Sequence, residues 1–67
     1  MNDQTVQAAV AKFLKRVTPT AQREIEKAIR NALASGKLRG HESWTAAIAF
    51  SSEKVGLDVT IYGKIEL

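Results

Sequence analysis

The sequence contains no cysteine, one proline and one histidine, and each shortage removes a class of chemistry. Without cysteine there is no disulfide staple, no thiol nucleophile and no thiolate metal site. His41 alone does not supply the nitrogen and sulfur ligands of the usual zinc sites, and the scattered carboxylates lack calcium-loop spacing. His41 adjoins Glu42 and Ser43, residue types found in hydrolase triads, but adjacency along a chain is not a triad. Nucleophile, base and orienting group usually come from separated segments of a rigid scaffold. Glycines at 36, 40, 56 and 63 form neither a phosphate-binding loop nor a dinucleotide fingerprint. Long apolar runs are missing as well: Ala8-Ala9-Val10-Ala11 falls short of a signal-peptide core, and Ala46-Ala47-Ile48-Ala49-Phe50 falls short of the ~20 residues of a membrane span. The expectation is a soluble, cytoplasmic, non-enzymatic protein with no cofactor, no metal and no membrane partner.

What is present suits one small domain, residues 1–67, with 45% hydrophobic and 25% charged residues and a net charge of +3. Chains of this size bury only about 60% of the surface their unfolded form exposes, which makes self-association a route to stability. The charge is uneven. Residues 1–36 carry Lys12, Lys15, Arg16, Arg23, Lys27 and Arg30 against Asp3, Glu24 and Glu26, and residues 37–67 balance. Any electrostatic function belongs to the first half.

Val6, Ala9, Val10, Phe13, Leu14 and Val17 recur at the spacing of an amphipathic helix, as do Ile25, Ala28, Ile29, Ala32 and Leu33. Pro19 disfavours helical backbone at Thr18 and has no N–H to donate, so the pattern predicts two helices, about 5–16 and 20–35. Thr18 and Thr20 are both open as the cap of the second, and Gly36 supplies the left-handed residue that ends it. From Trp44 the period changes to two, predicting strands at about 44–52 and 57–66 joined by Glu53-Lys54-Val55-Gly56. If both apolar sets share a face, Ser52 pairs with Leu57, Phe50 with Val59, Ile48 with Ile61 and Trp44 with Ile65, with the Trp44 indole leaning over Gly63. The expected fold is a two-layer α+β domain, two N-terminal helices packed on one face of a C-terminal antiparallel hairpin in the order ααββ. Its core is expected where Val10, Phe13, Leu14, Val17, Ile25, Ile29 and Leu33 meet the apolar hairpin face.

Glu24 and Glu26 point in different directions on a helix and read as solvated charges, Glu24 reaching Lys27 and Glu26 reaching Arg30. Two features carry functional readings. The sheet has two open edges and a mild outer face that includes Ala47, Ala49, Thr60 and Tyr62, inviting a homodimer or a strand from another protein. The back of the second helix gathers Arg23, Lys27 and Arg30 within about 60°, with Lys12, Lys15 and Arg16 as helpers if they lie on that side. Such a face suits nucleic acid. Two helices before a hairpin also suggest a winged helix-turn-helix, but that motif would put Pro19 at its turn glycine and Lys15 at its alanine. The leading expectation is therefore a non-catalytic interaction module whose partner is another protein or itself, with weak nucleic-acid binding as the alternative.

The strings Phe13-Leu14-Lys15, Gln22-Arg23-Glu24-Ile25-Glu26-Lys27, Ala34-Ser35-Gly36-Lys37 and Gly63-Lys64-Ile65-Glu66-Leu67 together resemble a family of small uncharacterised bacterial proteins, a domain of unknown function. The resemblance covers nearly the whole chain. It departs at Ala21, where the family often has a capping serine, which would move the cap to Thr20 or Thr18. The resemblance implies a bacterial, stand-alone protein with no assigned activity and transfers no functional residue.

Overall fold

The computed structural model describes residues 2–67. Two compact units make up the chain, Met1–Lys37 and Leu38–Leu67. The first is a single α-helix, α1, Asp3–Ala34. Asn2 caps it from extended backbone, its side-chain oxygen accepting the Thr5 N–H at 2.9 Å, and Asp3 adds a negative charge to the first turn, where the helix dipole favours it. At the other end Gly36 turns left-handed with φ 82° and its N–H donates to the Leu33 carbonyl at 3.3 Å, as the capping rule requires.

The expected break at Pro19 does not occur, and the two helices 5–16 and 20–35 are one. Thr18 and Thr20 lie inside α1 and cap nothing. The reason lies in Ala21. It stands four residues after Val17 and four before Ile25, so the apolar stripe passes through Pro19 in phase and a break would put its halves out of register. Pro19 itself sits about 160° from the middle of the stripe at 100° per residue, on the face where a bulky ring and an unpaired carbonyl meet water. With no turn between helices, the helix-turn-helix arrangement is excluded for α1.

The second unit is the hairpin of β1, Ser43–Ser52, and β2, Leu57–Glu66, joined by a 3-10 turn over Glu53–Val55. Gly56 closes the turn at φ 66°, its N–H donating to the Glu53 carbonyl at 3.1 Å. The register is the expected one throughout: Ser52 opposes Leu57, Phe50 opposes Val59, Ile48 opposes Ile61 and Trp44 opposes Ile65. One detail differs. A Cβ built on Gly63 would meet nothing within 4 Å, so the Trp44 indole does not cover that glycine.

Neither unit encloses a core of its own. Among the described residues none is buried, and Val10, Phe13, Ile25, Leu33, Ile48, Val59 and Ile61 all count as exposed, Phe13 and Ile61 each at 57%. A lone two-stranded hairpin is marginal in water, and helices in proteins draw most of their stability from packing an amphipathic face. The apolar surface of each unit is therefore the fact to explain.

Candidate functional site

Three surfaces follow from these elements. The first is the apolar stripe of α1. Val17, Ala21, Ile29 and Ala32 are half-buried, while Val6, Val10, Phe13, Leu14, Ile25 and Leu33 stand exposed beside them. Leu and Phe side chains so placed are hydrated at a cost of roughly 25 cal/mol per Å² until something covers them.

The second surface is the opposite side of the same helix. Because α1 is unbroken, Lys12, Arg16, Arg23, Lys27 and Arg30 fall within an arc of about 60° over about 27 Å. Lys12 and Arg16 thus join the Arg23, Lys27 and Arg30 face, whereas Lys15 lies about 60° outside the arc. Two of these cations have partners: Arg30 pairs with Glu26 at 3.1 Å, and Arg23 donates to the Thr20 hydroxyl at 3.2 Å. Of the two anticipated ion pairs, only Glu26 with Arg30 forms among the described residues. A shallow recess lined by Ala9, Lys12, Phe13 and Arg16 marks the border between stripe and basic face.

The third surface is the hairpin. One face brings together Ala47, Ala49, Thr60 and Tyr62, since Ala47 pairs with Tyr62 and Ala49 with Thr60, and Tyr62 is 70% exposed. The other face carries Trp44, Ala46, Ile48 and Phe50 opposite Ile65, Gly63, Ile61 and Val59. Both strands are edges of the two-stranded sheet.

Sequence reading missed a latch at the hairpin entrance. The Glu42 carboxylate accepts the backbone N–H groups of Arg39 at 2.8 Å, Gly40 at 2.9 Å and His41 at 3.1 Å, and the Glu42 carbonyl accepts from the Leu67 N–H at 3.0 Å. The Arg39 bond, helped by those of Gly40 and His41, outweighs desolvation and holds the Glu42 carboxyl below its usual range. A folded-state depression means that the stability it contributes is intact above the unfolded carboxyl's pKa and disappears as pH falls through the lower folded value. In an acid titration followed by NMR, the Arg39, Gly40 and His41 amides should therefore move together with a midpoint below that of an ordinary glutamate carboxyl. Glu42→Gln should abolish that step, and amides unaffected by either change would refute the latch. The only sequence signal was a glycine two residues before a glutamate, with Gly40 at φ 108°. His41 contributes its backbone N–H, and its ring lies on the exposed connector.

No described helix is long and apolar enough to cross a membrane, and no cluster of metal-ligating side chains occurs among the described residues. A capped helix with one apolar and one basic face, followed by a hairpin with one apolar face, defines a small α+β protein whose chemistry lies on its surfaces. The chain belongs to the family of unknown function DUF6494, which it matches over residues 1–67. No curated protein and no solved structure matches it.

Proposed function

We propose that this protein is a non-catalytic interaction module that works by presenting apolar faces to a protein partner, a second copy of itself included. One observation carries the reading: 45% of the residues are hydrophobic, yet none of the described residues is buried. Globular chains do not leave their apolar stripes uncovered, and large exposed apolar patches mark interaction surfaces. The open hairpin edges point the same way, because an unpaired row of N–H and C=O groups is a template for another strand. Analytical ultracentrifugation over a concentration series tests the reading. Association in the micromolar range supports it, and a folded, helical monomer persisting to millimolar concentration overturns it.

The alternative is a nucleic-acid binder, and the continuity of α1 favours it to this extent: five cations now share one face where separate helices would have aligned three. Binding to random-sequence duplex DNA should then weaken steeply with salt, losing roughly one unit of slope for each phosphate contact removed. An Arg23, Lys27, Arg30 triple alanine variant with an unchanged salt slope removes the alternative.

A further inference from the structure

Between Val10 and Ala32 the apolar stripe of α1 reads the same in both directions about Ala21. Val10 stands as far before it as Ala32 stands after, Phe13 as Ile29, Leu14 as Ala28, and Val17 as Ile25. We propose that a second copy of the chain lies antiparallel along this stripe, with the two-fold axis passing at Ala21. This rests on the interaction-module reading and names its partner.

Two arguments converge on that occupant.

The first is symmetry. In a two-fold interface, residue i of one copy meets residue j of the other while j meets i, so an antiparallel pair needs a face that matches its own reversal. The stripe has that property. The second is volume. The N-terminal half of the stripe carries Val10, Phe13, Leu14 and Val17, while in the C-terminal half alanines at 28 and 32 alternate with Ile25, Ile29 and Leu33. A parallel pair would stack large on large at one end and leave the other end slack. Antiparallel packing sets Val10 against Ala32 and Leu14 against Ala28, which evens the layers as close packing demands. Ala21 facing its own copy lets the backbones approach at the axis, and the two helix dipoles run head to tail.

The absence of native cysteine makes the test clean. Val10→Cys and Ala32→Cys chains, unfolded, mixed, refolded and oxidised together, should form the mixed disulfide about ten-fold or more faster than either variant links to itself. Ala21→Cys alone should link to itself, and circular dichroism confirms that each variant keeps its helix. Self-linking of Val10→Cys and of Ala32→Cys without the mixed product means a parallel pair. A Val10→Cys chain that links instead to an Ile48→Cys chain means that the partner's hairpin occupies the stripe. Either result overturns the register while leaving association intact, and monomeric variants with no linking overturn the interaction module as well.

Discussion

Replacing Pro19 with alanine is expected to raise stability by up to about 3 kcal/mol, the largest gain available from one residue in this chain. Pro19 lies within a continuous helix, where it lacks the N–H that the Lys15 carbonyl would otherwise accept and its ring crowds that carbonyl. Alanine restores the bond and removes the clash. For a chain of this length, that corresponds to a rise in thermal midpoint of about 10 °C or more, followed by far-ultraviolet circular dichroism at fixed protein concentration. The sign of the effect discriminates between folds. Were Thr18 a cap and Pro19 the first residue of a second helix, the proline would be pre-organised and its removal would lower stability. A falling midpoint would restore the two-helix arrangement.

Val17→Asp should dissociate the assembly. Val17 is half-buried and lies one turn from the proposed axis at Ala21, so covering the stripe would trap an unpaired carboxylate in each copy. Leaving a buried charge uncompensated costs about 3–5 kcal/mol, or roughly two to four orders of magnitude in dissociation constant. Because helices in proteins draw most of their stability from packing an amphipathic face, helicity should fall with association at micromolar concentration. Lys12→Asp, on the opposite face, is the control and should shift stability by no more than about 0.5 kcal/mol. Equal effects from the two variants in sedimentation equilibrium would place Val17 in water and the stripe with it.

The hairpin was legible residue by residue. Two alternating apolar strands, forced to share a face, admit few registers, and a four-residue loop ending in glycine selects one of them, with Gly56 at the required positive φ. The end of the helix at Gly36 was legible for the same reason: one residue type serves that backbone geometry. The middle of the helix was misread because the penalty at Pro19 is local, while the phase of the stripe through Val17, Ala21 and Ile25 is a property of thirty residues. Alanine is a weak marker of an apolar face, so the link went uncounted. The lack of a core within either unit has a different cause. Periodicity tells which residues avoid water without telling which molecule covers them, and a pattern that predicts an internal seam predicts an intermolecular one equally well. The Glu42 latch depends on three N–H groups converging in one turn, which no spacing of residue types encodes.

The basic face of α1 gains a property from what lies behind it. In an antiparallel pair the two cationic arcs point away from each other, separated by the helix spacing of about 8–10 Å and the outward reach of the side chains on both sides. That separation exceeds the screening length of about 8 Å at physiological salt, so the two arcs attract anions independently. An anionic partner on one side neither helps nor hinders a partner on the other. The dimer would be bivalent by construction: one apolar seam turns two ordinary basic helices into a bridge with two separate docking sides.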